Sequence, residues 1–326
     1  MSAIKLSIII PIYKVEKYIE KCAYSLMEQT LKDDVEFIFV NDCSPDKSIE
    51  ILKDVISQYP KRQKQVRIIS NEKNLGISDT RKKALSLAKG EYIGWCDSDD
   101  WCDGEMFEKM VEMAYHSSSD VVISDYISEH ENGDTIEHKH GDASSPIELM
   151  CDLIWKDLFP YQLWETLIRR ELLIEGFNRI EPTMSGEDCY AIMIALYYAK
   201  SVAYIHKSLY HHRILSSSLT SNVVVTKKEW NAQVANIKMI EKLYERTPFI
   251  DAALLRWKVF RKKTYINQFD SLWEFYWSFP EVCRTSLKRY RVSLIKRIIL
   301  TPFYYFYPTY WLLKHKQWKK DKQSLI

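Results

Sequence analysis

Short apolar runs alternate with stretches of helical spacing through the first 125 residues of the chain. Lys5 to Pro11 is a β-branched apolar run that fits a strand buried on both faces, with Pro11 ending it. From Val15 the apolar positions fall at Val15, Tyr18, Ile19, Cys22, Ala23, Leu26 and Met27, the three-and-four spacing of a helix packed on a sheet. Val35 to Val40 predicts a second strand. After it, Ser44 as N-cap and Pro45 at the first helical position predict a helix running to about Gln58. Val66 to Ser70 reads as a third strand, Asp79 to Ala88 as a helix, Glu91 to Cys96 as a fourth strand and Asp120 to Ser124 as a fifth. Strands alternating with helices across short polar turns predict an α/β fold, a central mostly parallel sheet with helices on both faces. In such sheets ligands bind beyond the carboxyl ends of the strands. Pro11 to Tyr13, Asp42, and Asp97 to Asp99 all fall at those ends, so three polar turns converge on one crevice.

The acidic turn carries the first chemistry. Trp95, Cys96, Asp97, Ser98, Asp99, Asp100 and Trp101 follow the fourth strand, and carboxylates crowded at a strand end call for a cation. Hard oxygen ligands suit Mg2+ or Mn2+, ions that keep open positions for the phosphate oxygens of a substrate. Taken alone, an Asp-x-Asp is as well read as a solvated turn. Its neighbours lift it above that.

The order Ser-Ile-Ile-Ile-Pro-Ile-Tyr (7–13), Val-Asn-Asp-Cys-Ser (40–44), Asn-Leu-Gly (74–76), Gly-Glu-Tyr-Ile (90–93) and Asp-Ser-Asp-Asp (97–100) resembles the nucleotide-sugar half of family 2 glycosyltransferases with the GT-A fold. Gly186-Glu187-Asp188 is similar to the acidic motif that carries the family's catalytic base. Leu209 to Arg213, continuing through Ser218 to Thr220, is similar to its arginine-serine segment over the diphosphate. The likeness covers about two thirds of the chain.

That resemblance implies a role for each matched residue. Asp42 would accept the ring N–H of uracil, with Pro11 and Tyr13 walling the base pocket. Asp97 and Ser98 would approach ribose and phosphate, and Asp99 would hold a divalent ion, Mn2+ or Mg2+, against the diphosphate. Arg213 and Ser218 would add fixed donors to the same oxygens. Where many relatives carry Ala-Arg-Asn, this chain has Thr80, Arg81 and Lys82, so Arg81 keeps a phosphate or base contact. Asp188 would be the general base that takes the acceptor hydroxyl's proton, with inversion of configuration. Glu187 would orient the acceptor, and Trp164 would stack on a sugar face. Thr166 stands where relatives often carry lysine and takes no role. His211 and His212 are open as second metal ligands. Asp42, Glu187 and Asp188 also have a plain reading as acids at helix N-termini.

Composition bounds the rest. With 326 residues, 46% hydrophobic and 28% charged, the chain can bury a sizeable core, and its length suits two domains. We expect a GT-A domain over residues 1–222, with a nucleotide-sugar half to about 125 and an acceptor half over 126–222, then a helical region over 223–326. A formal net charge of +2 argues against nucleic-acid binding. Seven cysteines without a Cys-x-x-Cys pair read as reduced thiols of a cytoplasmic protein. The apolar run at Leu6 to Ile12 is too short for a signal peptide. Asn132 to Pro146, polar with Gly133 and Gly141, is expected as a mobile loop over the acceptor side.

Beyond Thr220 aromatic and basic residues dominate. Val292 to Leu313 is apolar but broken by Lys296, Arg297, Pro302 and Pro308, which suits an interfacial segment better than a spanning helix. The expected setting is therefore the inner face of the plasma membrane, with a UDP-sugar as donor and a glycan or lipid-linked oligosaccharide as acceptor. A tail packed on the catalytic domain, or on a second copy in a homodimer, is the competing reading. Two other functions fit the sequence less well. A sugar-nucleotide pyrophosphorylase needs a Gly-rich N-terminal loop, and the first glycine here is Gly76; a non-catalytic glycan-binding scaffold would have lost Asp42, Asp97, Asp99 or Asp188, and all four are present.

Overall fold

In the computed structural model, residues 4–155, 162–183, 186–215, 226–245, 247, 250–251, 253–254 and 257–258 are described. The chain divides into two compact units, Met1–Asp152 with Pro160–Val223, and Leu153–Phe159 with Val224–Ile326.

The first unit opens with β1 (Leu6–Ile12), α1 (Ile19–Met27), β2 (Val35–Asn41), α2 (Ser48–Ser57), β3 (Val66–Ser70), α3 (Ile77–Leu87) and β4 (Tyr92–Trp95). It continues through β5 (Trp101–Cys102), α4 (Met106–His116), β6 (Val121–His130), β7 (Thr135–His138) and α5 (Pro146–Trp155). A 3-10 turn at Leu163–Glu165 then leads to β8 (Thr166–Arg169), α6 (Arg170–Arg179), α7 (Glu187–Tyr198) and β9 (Val202–Ile214). The nine strands form one sheet in the order β3-β2-β1-β4-β8-β6-β9-β5, with β7 hydrogen-bonded to β6. All seven residues of β1 are buried, as the apolar run requires at the sheet's centre. Buried polar groups there are paired: Ser7 Oγ donates to Glu36 Oε1 at 2.7 Å, and Arg67 Nη1 lies 3.0 Å from Glu36 Oε2.

Consecutive residues of a strand point to opposite faces. On β4, a side chain at Gly94 would meet Phe107 of α4, whereas the Trp95 ring lies 6.0 Å from that of Phe177 on α6. Helices therefore cover both faces, and the α/β expectation is met.

The sheet is mostly parallel, as expected, with β1, β2, β3 and β4 parallel to one another and β6 parallel to β9. Antiparallel pairs enter at β8 with β4 and β6, at β7 with β6 and at β5 with β9. Three expectations are corrected. The second helix starts at Ser48 instead of Pro45 because Ser44 is used elsewhere. Its hydroxyl donates to Asp46 Oδ1 at 2.6 Å and accepts the Lys14 N–H at 2.8 Å, tying the turn after β2 to the turn after β1. The first helix likewise starts at Ile19, not Val15, whose N–H donates to Ser48 Oγ. Finally, residues 132–146 are not one loop, since Thr135–His138 pairs antiparallel with β6.

In the second unit, α8 (Lys227–Leu243) is capped by Thr226, whose Oγ1 accepts the Glu229 N–H at 3.2 Å. Trp230, Ile237 and Ile240 are buried, and Lys258 Nζ lies 2.7 Å from Glu241 Oε1. No helix among the described residues is long and apolar enough to cross a membrane. The segment Val292 to Leu313 lies outside the described residues.

Candidate active site

The site is built from loops at the carboxyl ends of β1, β2 and β4 and from the start of α7. Gly186 opens α7 in the left-handed region at φ 75°, a conformation that disfavours any side chain, so the chain turns there and Glu187 and Asp188 become the helix's first residues. Gly176 fixes where that helix lies. A Cβ at this position would stand 2.5 Å from the Ala191 carbonyl oxygen, so only glycine lets α6 approach α7 this closely.

Arg81 of α3 joins the two acidic motifs. Its Nη2 is 2.8 Å from Asp97 Oδ1, its Nη1 is 2.6 Å from Glu187 Oε1, and the same nitrogen is 4.0 Å from Asp188 Oδ2. The guanidinium is buried over the Trp95 ring. Burial opposes its charge, but Asp97, Glu187 and Asp188 outweigh burial and hold it firmly protonated. Glu187, 2% exposed, is pushed up to about 7 by burial, against the pull of Arg81 and with the push of Asp188. Its carboxyl is turned toward Arg81. Both terminal nitrogens of Arg81 thus pair with carboxylates of this chain, Asp97 and Glu187.

The acidic turn is held from β9. The Asp97 N–H donates to Tyr210 Oη at 3.0 Å, Tyr210 donates in turn to Asp100 Oδ2 at 2.8 Å, and the Arg213 N–H donates to Asp100 Oδ1 at 2.7 Å. Asp100 is thus a structural acid, its pKa raised well above the ordinary range by burial and by Asp99 and Asp97. Arg213 Nε donates to the Asp99 carbonyl at 2.9 Å, and its guanidinium lies over the rings of Tyr18 and Trp101.

Other expected residues take these positions. Pro11 is buried within β1, paired with Val40, while Tyr13 beyond it is 39% exposed. The Asp42 carboxyl accepts from Asn71 Nδ2 (2.8 Å) and from the backbone N–H groups of Leu75 (2.8 Å) and Gly76 (2.9 Å). It thereby organises the turn into α3. Ser98 is buried beside the acids. Trp164 is 2% exposed, stacked on Tyr210 at 4.4 Å and edge-on to Tyr126 at 4.8 Å, so its ring braces β9 against β6. His211 is committed through both ring nitrogens, to Glu129 (2.7 Å) and Asp103 (3.2 Å), and His212 packs beside Trp164. Ser218 lies outside the described residues.

A family model described as "Glycosyl transferase family 2" matches residues 7–178. The chain belongs to this family. It is similar to "Uncharacterized glycosyltransferase EpsJ" of Bacillus subtilis (strain 168), 34% identical over 221 residues, which make up 66% of this chain and 62% of that protein. The chain therefore spans less than two thirds of that relative's length. Among solved structures it resembles S. aureus TarS in complex with UDP-GlcNAc, with a TM-score of 0.62 and 22% identity over 90% of this chain and 77% of that one. A mannosyltransferase from Pyrobaculum calidifontis in complex with GDP-Man and Mn2+ matches at a TM-score of 0.56 and 13% identity, covering 98% of this chain and 83% of the other. At these identities the two structures show a shared fold.

Family 2 chains of this fold raise the question of a divalent ion. Among the described residues no group of three or more His, Cys, Asp and Glu is arranged to hold one. Asp99 nevertheless fits a single-carboxylate role. It is half-buried, and burial together with the neighbouring Asp97 charge pushes it up to about 6, a strain that a cation relieves. Magnesium-type ions are commonly bound through one or two carboxylates with the remaining positions filled by substrate phosphates and water.

Sequence reasoning missed Tyr210, Asp100 and the pair of His140 with Glu165. Tyr210 sat inside a quoted motif but had no assigned partner, and its hydrogen bonds depend on β9 reaching the turn after β4.

Proposed function

We propose that this chain is an inverting glycosyltransferase that moves a sugar from a UDP-sugar to a hydroxyl of a glycan or lipid-linked acceptor. The observation that carries the reading is the meeting of two acidic motifs, about 90 residues apart in sequence, through Arg81. TarS, of the same fold, was solved with UDP-GlcNAc, and this favours a uridine nucleotide.

In this reading Pro11 and Tyr13 flank the base, and Asp42 shapes the pocket wall by holding the Leu75–Gly76 turn. Asp97 and Ser98 face ribose and phosphate, and Asp99 holds Mn2+ or Mg2+ with the diphosphate. The ion, when bound, offsets negative charge on the departing diphosphate. Arg213 and Ser218 supply donors to the same group. A sugar hydroxyl is a poor nucleophile until its proton leaves, and Asp188 accepts that proton as the oxygen attacks the anomeric carbon opposite the diphosphate. Arg81 and Glu187 hold Asp188 in place from behind. The basic, aromatic composition beyond residue 286 supports a membrane surface as the place of the acceptor.

The test is Asp188→Asn, assayed by UDP released from a panel of UDP-sugars and by calorimetric UDP binding. Turnover should fall by roughly 10² to 10⁴, the usual worth of a positioned base, with UDP affinity retained. Joint loss of binding and turnover, or normal turnover, would remove Asp188 from the role.

A further inference from the structure

The turn after β1 is fastened by one carboxylate that has no part in the proposed transfer. Three consecutive backbone N–H groups of that turn each meet a side chain from the turn after β2. Lys14 donates to Ser44 Oγ at 2.8 Å, Val15 to Ser48 Oγ at 3.1 Å and Glu16 to Asp46 Oδ2 at 3.0 Å. Both serine hydroxyls donate in turn to Asp46 Oδ1, each at 2.6 Å, and the Ser48 N–H reaches the same oxygen at 3.2 Å. Glu16 returns the tie by accepting the Lys47 N–H at 3.1 Å. Asp46 is therefore the hub of the set: it holds one N–H directly and orients the two hydroxyls that hold the others. Lys14 has φ 56° and Cys43 φ 59°, the left-handed region that disfavours any side chain. Residues in that region persist only where their surroundings over-determine them, and they gather at ligand clamps. Tyr13, 39% exposed, stands between the end of β1 and the strained Lys14, whose Nζ lies 5.1 Å from its ring centre. The direction of that ring is set by the turn.

We propose that Asp46 is a positioning residue for the donor's base, holding the turn after β1 in the conformation that stands Tyr13 against the nucleobase. The inference rests on the reading in which Tyr13 flanks that base. Asp46 acts through Tyr13 and needs no contact of its own with the nucleotide. A turn released from Asp46 spreads over other conformations, and the apparent dissociation constant rises in inverse proportion to the fraction that stays competent. In the same reading the phosphates are met at the turn after β4, so the loss belongs to the base alone.

The test is calorimetric binding of UMP and of UDP, each with Mn2+, to full-length protein. Asp46→Asn keeps the size of the side chain, but whichever way the amide sits, its NH2 meets a backbone N–H, of Glu16 or of Ser48. It should weaken UMP and UDP by the same factor, about fivefold, the worth of one hydrogen bond. Tyr13→Ala should weaken both as well. Adding Asp46→Asn to Tyr13→Ala should then change either affinity by less than about twofold, because the ring through which Asp46 acts is gone. In UDP release from a UDP-sugar, Asp46→Asn should raise KM by the same factor and hold kcat within about twofold, and a fall in kcat at unchanged KM overturns the proposal. A merely structural role predicts a lower unfolding midpoint with UDP affinity unchanged, and that result overturns it too. So do losses that multiply in the double variant, or a loss larger for UDP than for UMP. If Asp46→Asn fails to fold, Ser48→Ala, which removes the acceptor of the Val15 N–H, takes its place, and unchanged UDP affinity there overturns the proposal. Wild-type protein that binds no UDP would instead remove the donor reading, and this inference with it.

Discussion

Arg81 Nη1 lies 2.6 Å from Glu187 Oε1, a buried ion pair across 106 residues that locks the start of α7 to α3. The other arm of the same guanidinium holds Asp97 at the end of β4. A guanidinium can do this because its donors form a rigid fork, so two carboxylates on different elements are held in one plane. The acidic turn after β4 and the start of α7 are thereby parts of one charged cluster.

Removing the cation should be costly. Arg81→Ala leaves buried Glu187 and half-buried Asp97 without their partner, and breaking such a pair from one side typically costs about 3–5 kcal/mol. Arg81→Lys should recover only part of this, lacking the fork. Chemical denaturation followed by tryptophan fluorescence measures both. An alanine variant as stable as the parent would mean that the cluster contributes nothing net.

Stability should also depend on pH through Glu187. Its folded value of about 7 lies above the model-compound 4.5, set first by burial, opposed by Arg81 and raised again by Asp188. Between those values the folded chain binds more protons than the unfolded one. The stabilisation is therefore fully present below about 4.5 and is lost as pH rises through about 7. Urea unfolding across that window should show the decline, and Glu187→Gln should flatten it. An unchanged slope in the variant would assign the dependence to other groups.

Donor binding should need a divalent ion held by Asp99. Titration calorimetry with UDP should give an affinity in Mn2+ that falls about tenfold or more in excess chelator, a loss of at least ~1.4 kcal/mol. Asp99→Ala should reproduce that loss in the presence of Mn2+. Equal UDP affinity with and without the ion would exclude the role.

The C-terminal region should bring the chain to an anionic surface. Between Ser286 and Ile326 the sequence carries Lys288, Arg289, Arg291, Lys296, Arg297, Lys314, Lys316, Lys319 and Lys320 among many aromatics. Bases near such a surface are worth ~1 kcal/mol each and weaken with salt. Full-length protein should float with anionic liposomes at low salt and less at high salt. Protein truncated before Ser286 should remain behind while still binding UDP. If full-length protein stays unbound at low salt, the tail serves packing or assembly instead.

The elements that the sequence declared by itself are those whose burial is local and periodic. β1 follows from a nearly continuous apolar run, because a strand covered on both faces must be largely apolar, and Val66 to Ser70 coincides with β3 although that strand is only half-buried. The plain reading of Glu187 and Asp188 as acids at a helix N-terminus coincides with the start of α7. Tertiary structure decided the rest, wherever one polar group had several partners within reach. Ser44 was a sound cap by local rules, yet Lys14 and Asp46 took its hydroxyl and the helix began later. Asp42, Arg81, Glu187 and Trp164 stand out in the sequence as candidate residues of the crevice. Their direction was not readable, because a carboxylate or guanidinium satisfies itself with whichever buried partner the fold brings within about 3 Å. The pairing of His140 with Glu165 joins a segment beyond β7 to a turn before β8, and no periodicity along the chain records a contact of that kind. Hydrophobic pattern is a property of neighbours in sequence, whereas the pairing of buried charges is settled only once the sheet has closed.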